Sequence, residues 1–385
     1  MAAETVATPS TGARGEPVLI PAGTTFSPDD ITFFQGKDSG RTLDEAVREA
    51  DVLVSCPHSG DRIPAELSEF LAPEFTHRLQ YDFSDRTTGP IVRRWAEIDP
   101  RIIYVENPHP RMIRDPNRER PENIRETLRE AFARVEAVGR WNRVDLSGVD
   151  AIRPVTFSFY PLLVPPATEQ DLDHLASTFE RVAERGLGVY EQTRDDLLGR
   201  MTELALARAA SGEHARFTTL SFHDTMNHTT TRDGAVTVER AEADRLPNVV
   251  ALSNRGDHRG EPRGENVVTM DPALVRSLAT AHRAGFSTAN DDDVQLNQPY
   301  LGSNEIIRAG ARFSGLADRV AAASASGGLA ELSAVQAEFL REFLLGGRAT
   351  AELQQPGVDW PSDDKQHIDD IAQACKRSWD LFRSK

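Results

Sequence analysis

The stretch Asp51–Leu67, DVLVSCPHSGDRIPAEL, decides the reading of this chain. Val52, Leu53 and Val54 form a short apolar run that ends at Cys56-Pro57, the pattern of a buried strand. His58, Ser59, Gly60 and Asp61 follow with no spacer. An imidazole, a hydroxyl, a flexible glycine and a carboxylate therefore stand where a buried strand stops. In an open α/β sheet that is where ligands bind.

Working outward, the segment RIIYVE at 101–106 reads as a second strand, RFTTLSFHD at 216–224 as a third and NVVALSN at 248–254 as a fourth. The run AVQAEFLREFLLG begins like a strand and ends like a helix. Apolar spacing of three and four predicts helices over AELSEFLAPEF, TGPIVRRWAEI, 122–139, 168–186, 188–211, DPALVRSLATAHRAG and about 364–383. Asp271-Pro272 is the cap and first turn of one of them. Strands alternating with helices predict an α/β fold: a single domain whose mixed, mostly parallel central sheet is flanked by helices. Residues 1–45, rich in Thr, Ser, Pro and Gly, read as an arm with little structure of its own. A catalytic domain is expected over 46–346 and a helical extension over 347–385.

The chain has 385 residues and a formal net charge of −16. An acidic balance argues against nucleic acid as the main partner, since phosphate binding needs a basic surface. No apolar run approaches the ~20 residues of a membrane span. The N-terminus shows neither an apolar core nor an Arg-rich amphipathic pattern, so no export signal is expected. The two cysteines, Cys56 and Cys375, form no disulfide framework or thiolate zinc site. These features fit a cytoplasmic protein.

Two histidines, His58 and His223, each sit at the end of an apolar strand, and parallel strands bring such ends to one edge. Asp61 lies three residues after His58, and Asp82 and Asp85, in YDFSDRTTG, lie at a loop leading into a helix. Two imidazoles and one carboxylate, with a fourth position open, make the donor set of a hydrolytic zinc site. Arg111, Arg114 and Arg118 crowd the segment HPRMIRDPNR with Asn117 beside them, and arginine forks suit carboxylates. Glu338 is a carboxylate inside an apolar run, where an unpaired charge is costly; it is either paired structurally or a general base.

Together these segments resemble the N-formylglutamate amidohydrolase family, which is related in fold to the zinc carboxypeptidases. PHSGDRIPAEL resembles its opening His motif and DFSDRTTGPIVRRWA its Asp-containing helix entry. PRMIRDPNRERP is similar to its arginine segment, LSFHD to its second histidine strand, NQPYLGSNEIIRAG to its Asn-x-Pro-Tyr-x-Gly region and AVQAEFLREFLL to its Gln-x-Glu strand. The likeness runs from about residue 50 to 346, in family order. It implies a zinc-peptidase-like hydrolase fold and a metal-dependent hydrolase that cleaves an N-acyl, formyl-like amide from a small, anionic, amino-acid-like substrate. One Zn²⁺ per chain is implied, held by His58, His223 and Asp85, with Asp61 as the alternative third ligand. Glu338 matches the general base. Arg111, Asn117 and Arg118 match the carboxylate-binding positions, with Arg111 also stabilising the oxyanion, and Tyr300 falls in the substrate region. The chain departs from the family around the second histidine, in SFHDTMNHTTT, and at Glu119. Residues 145–185 and the tail from 347 look like additions. These departures point to a specialised substrate. The rivals are a related metallohydrolase acting on an ester, cyclic amide or imine-type carbon, and a non-catalytic anion-binding homologue.

Overall fold

Seven strands form the central sheet: β1 (Thr32–Phe33), β2 (Val52–Cys56), β3 (Ile102–Glu106), β4 (His214–Thr225), β5 (Val250–Ser253), β6 (Val294–Leu296) and β7 (Leu329–Leu340). Their order across the sheet is β6-β5-β7-β4-β2-β3-β1. Neighbours run parallel except β5 with β7 and β1 with β3. The chain is thus an α/β protein with a mixed, mostly parallel sheet flanked by helices, as its sequence predicts. The computed structural model describes residues 15–325 and 327–384; residues 1–14 of the expected arm lie outside them.

The apolar runs are continuous because both faces of the sheet are covered. Val52, Val54, Cys56, Ile102, Tyr104, Leu220, Phe222, Val335, Ala337 and Phe339 share one core. That core is completed by helices Thr88–Ile98, Pro272–Gly285 and Lys365–Arg383, through Trp95, Leu278 and Trp379. Leu53, Ile103, Val105, Phe217 and Ala334 point the other way, toward helices Leu43–Glu49, Glu169–Ala210 and Asn304–Ser314. Side chains alternate along a strand. Ser221, His223, Gln336 and Glu338 therefore lie on the face opposite Phe222 and Phe339, toward the Glu169–Ala210 helix.

Several local expectations change on folding. Residues 15–45 carry ordered elements: Leu19–Ile20 pairs with Ile63–Pro64, and β1 is the edge strand of the main sheet. Two capping boxes, Ser27 with Asp30 and Thr42 with Glu45, start the helices of this region. The segment AELSEF is a 3₁₀ helix. The helices expected over 168–186 and 188–211 are one helix of 42 residues. Gly186 does not end it; a Cβ there would lie 2.3 Å from Nε2 of His109, so the glycine makes room for that ring. Strand β6, only 3 residues long, and helix Asn304–Ser314 are elements that the sequence pattern does not announce. The C-terminal helix packs directly into the core. Arg383 fixes its end by bonding Asp51 at 2.8 Å and Asp99 at 3.1 Å.

His109 and His282 are buried neutral. His109 Nδ1 lies 2.7 Å from the Arg62 carbonyl and His282 Nδ1 lies 3.0 Å from the Leu278 carbonyl. Burial pushes each imidazole down to about 4. The unfolded chain takes these protons near the ordinary value of about 6.5, while the folded chain refuses them until about 4. Stability is therefore full above that ordinary value and is lost as pH falls through this window. Urea denaturation at neutral pH and at about pH 4.5 should show a loss of roughly 2–3 kcal/mol per group, and His282→Asn should flatten that dependence by one group's share. An unchanged slope in the variant would show that His282 does not contribute.

Candidate metal centre and its cavity

The site is built at one edge of the sheet by three adjacent strands. His58 lies two residues past β2, in a turn followed by Ser59 and Gly60. A Cβ on Gly60 would sit 2.4 Å from the Asn107 carbonyl oxygen and 2.5 Å from the His109 nitrogen. Only glycine lets the loop after β3 pass so closely. His223 is near the end of β4. The parallel register places Glu338 of β7 opposite His223. Asp85 comes from the turn before helix Thr88–Ile98, where its backbone N–H donates to the His58 carbonyl at 2.9 Å.

His58, Asp85 and His223 are all buried, and each offers a ligand atom within 4.8 Å of the others. Asp85 Oδ2 lies 3.0 Å from His223 Nδ1 and 3.4 Å from His58 Nδ1. The opposite ring nitrogens are engaged elsewhere. His58 Nε2 meets Asp115 Oδ1 at 2.8 Å. His223 Nε2 meets Ser221 Oγ at 3.0 Å. Ser221 donates its hydroxyl to Glu305 at 2.9 Å, so His223 Nε2 carries the proton that Ser221 accepts. Asp115 likewise accepts the proton on His58 Nε2. Both Nδ1 lone pairs then face the Asp85 carboxylate, and the cluster of acceptors calls for a cation. The donors are those of a zinc site, and the partners behind them are the kind that orient ligating imidazoles. The group fits a metal ion.

Burial and neighbouring charges oppose one another throughout the group. Burial raises the Asp85 carboxyl, but His58 and His223 outweigh it and hold it well below the usual range. Burial and Arg111 push His58 down, and Asp115 with Asp85 more than restores it, so its net direction is up. Asp115 resists burial through Arg111 and His58 and is held well below the usual range. Arg341 lies beneath, bonded to the Asp224 carboxylate and to the Ser84 and Asp82 carbonyls at 2.7 and 3.0 Å. Burial still drives Asp224 up to about 7. Burial also raises the Glu338 carboxyl, against the pull of His223. Glu338 accepts from Thr225 Oγ1 and from Gln336 Nε2, each at 2.7 Å.

The group opens onto a cavity of about 680 Å³, also lined by Arg111, Asn117, Arg118, Tyr300 and Glu338. Arg111 bonds Asp115 through Nε at 3.1 Å and Nη2 at 2.5 Å, and stacks over Phe157 at 4.8 Å. Arg118 pairs with Asp150 at 2.6 Å. The Asn117 side-chain oxygen is buried without a partner among the described residues. Of the two aspartates weighed as third ligand, Asp85 lies in the group. Asp61 faces away and pairs with Arg86 at 2.8 Å. Arg114 pairs with Glu191 at 2.7 Å and lines no part of this cavity.

Sequence reasoning missed Asp115, Ser221, Glu305 and the Asp224–Arg341 pair. Ser221 had a signal: it precedes His223 by two residues and so shares its face. Glu305 had none, because its partners come from distant segments. It accepts from Ser55 and Tyr190 at 2.7 Å, and it pairs with Arg194.

Residues 50–317 match the family model described as N-formylglutamate amidohydrolase. No curated protein and no solved structure matches the chain.

Glu305→Gln weakens the partner of buried Arg194 and the acceptor for Ser221. Urea denaturation should show a loss of about 3 kcal/mol, as for a broken buried pair. Zinc affinity, read by competition with a chromogenic chelator, should fall by roughly 10-fold or more. Ser221→Ala leaves the Glu305–Arg194 pair intact and should lower zinc affinity with a smaller loss of stability. Wild-type zinc affinity in both variants would show that this relay does not orient His223.

Proposed function

The chain belongs to the N-formylglutamate amidohydrolase family, and on that premise we propose that it is a zinc-dependent hydrolase of an N-acyl amide on a carboxylate-bearing amino acid. The observation that carries the proposal is the buried His58–Asp85–His223 group with Glu338 in register beside His223, at the floor of an arginine-lined cavity. The family implies an amidohydrolase, and the donor set suits zinc, one ion per chain. His58, Asp85 and His223 would hold it. Bound there, zinc would polarise the acyl carbonyl and lower the pKa of a water beside it.

The rest follows from the chain's own side chains. Glu338, with its carboxyl raised by burial, takes a proton from the attacking water and returns it to the departing amine. Thr225 and Gln336 fix its two oxygens. Arg111, held rigid by Asp115 and Phe157, stabilises the negative charge that develops on the acyl oxygen. Arg118 and Asn117 hold the substrate carboxylate and orient the amide. The unpartnered oxygen of Asn117 suits the amide N–H of the substrate. Tyr300 closes the opposite wall.

Hydrolysis of N-formyl-L-glutamate by zinc-loaded protein tests the reading. Activity should vanish with a strong chelator and return with zinc; full activity in metal-free protein would overturn it. Glu338→Gln should keep its zinc and lose ~10²–10⁴-fold in turnover. A variant within a few-fold of wild type removes Glu338 from the mechanism.

Arg118→Lys probes the carboxylate clamp. Lysine lacks the planar two-donor fork, so discrimination between the acid substrate and its neutral amide should shrink, with KM raised. Equal discrimination in both proteins, by steady-state kinetics, would leave Arg118 as a partner of Asp150 alone.

A further inference from the structure

Four arginines line the cavity: Arg111, Arg118, Arg240 and Arg341. Three are paired, with Asp115, Asp150 and Asp224 in turn. Arg240 has no side-chain hydrogen bond or ion pair among the described residues, and its Nε is buried with no partner. A buried donor left unpaired is costly. Such a group in a cavity wall calls for a ligand that supplies the missing acceptor.

The position of Arg240 says which part of a ligand it meets. It ends the hairpin His228–Thr230 and Val236–Glu239, which follows β4. Its charge bears on the hydroxyl of Tyr300, which follows β6. Arg118 follows β3. Strands β7, β4 and β2, which carry or lead to Glu338, His223 and His58, lie between β6 and β3. Arg240 and Arg118 therefore stand on opposite walls with the metal-binding group between them. Of the acids nearby, Glu239 pairs with Arg245 at 2.7 Å, and Glu342 accepts through one oxygen from His228 at 3.1 Å and from the Asn227 N–H at 2.9 Å, its other oxygen being buried without a partner among the described residues; neither bonds Arg240.

We propose that Arg240 is a specificity-determining residue that binds a carboxylate on the acyl half of the substrate, so that the enzyme takes half-amides of dicarboxylic acids. The inference rests on the reading above, in which Arg118 and Asn117 hold the amino-acid half. With that half on the β3 wall, the acyl chain runs past the metal-binding group toward Tyr300 and Arg240. A cavity of about 680 Å³ has room for a longer acyl chain than formyl. The reaction is hydrolysis: the amide C–N bond breaks, the water oxygen joins the acyl carbon, and its proton passes to the nitrogen. The products are a dicarboxylic acid and a free amino acid.

The test uses N-malonyl-, N-succinyl- and N-glutaryl-L-glutamate, each beside the methyl ester of its acyl-side carboxylate. Wild-type protein should favour at least one acid over its ester by 10-fold or more in kcat/KM. Arg240→Gln should reduce that ratio by a similar factor, and Arg240→Lys should keep part of it, since the charge remains. The ratio is taken within one protein, so partial loss of folded material does not move it. No acid-over-ester preference in wild type, or a preference untouched in Arg240→Gln, overturns the proposal; with N-formyl-L-glutamate still hydrolysed, the amidohydrolase reading survives that result. If no N-acyl amino acid is turned over, that reading fails, and calorimetric binding of the same acids and esters to zinc-free protein decides for Arg240. An acid preference that disappears in Arg240→Gln supports it, and equal binding refutes it.

Discussion

Everything at this site depends on the register between β4 and β7. The two strands pair in parallel over their full length, from Leu329 opposite His214 to Leu340 opposite Thr225. A one-residue slip would turn Glu338 into the apolar core and Phe339 toward the cavity. Phe222 and Phe339, stacked at 4.7 Å on the far face, hold that register from behind. The same pairing that buries two aromatic rings thus sets a carboxylate beside an imidazole. Catalytic geometry on central strands is fixed by core packing, which makes it stiffer than geometry built on loops.

The cost of this arrangement is buried charge. Asp85, Asp115, Asp224, Glu305 and Glu338 are all buried, and carboxylates so placed are costly unless compensated. Each of the first four has an arginine near it. Arg111 serves Asp115, Arg194 serves Glu305, and Arg341 serves Asp224 while standing 3.7 Å from Asp85. Glu338 is the exception. Among the described residues it accepts only from the neutral donors Thr225 and Gln336, and burial leaves its carboxyl raised, as it leaves that of Asp224. The structure therefore separates three carboxylates held below the usual range from two whose proton affinity is increased, and of those two only Glu338 lacks an arginine ion pair among the described residues, the division that acid–base work requires.

What the sequence shows of this depends on distance along the chain. The buried strands, most helices and the strand-end histidines are local patterns, and they are legible. Strand β6 is too short to announce itself, and Gly186 looks like a break when its role is to admit the ring of His109. The choice between Asp61 and Asp85 could not come from spacing, because it is made by a turn that hands Asp61 to Arg86. Ser221 was readable from strand alternation. Glu305 was not: Ser55, Tyr190 and Arg194 reach it from segments between 111 and 250 residues away. Long-range polar networks leave no periodicity behind.

The placement of the variable parts follows from the same logic. On the proposed reading, the groups that would hold the metal and move the proton sit on or beside the central strands β2, β4 and β7, which have neighbours on both sides. The cavity-lining groups proposed to meet the two ends of a substrate sit in connections: Arg118 after β3, Arg240 after the hairpin that follows β4, Tyr300 after β6. A connection can change length or sequence with little effect on core packing, while a change in a central strand disturbs both faces. The fold thus allows the walls of the cavity to be rebuilt for a new acyl or amine group while the hydrolytic centre between them stays in place.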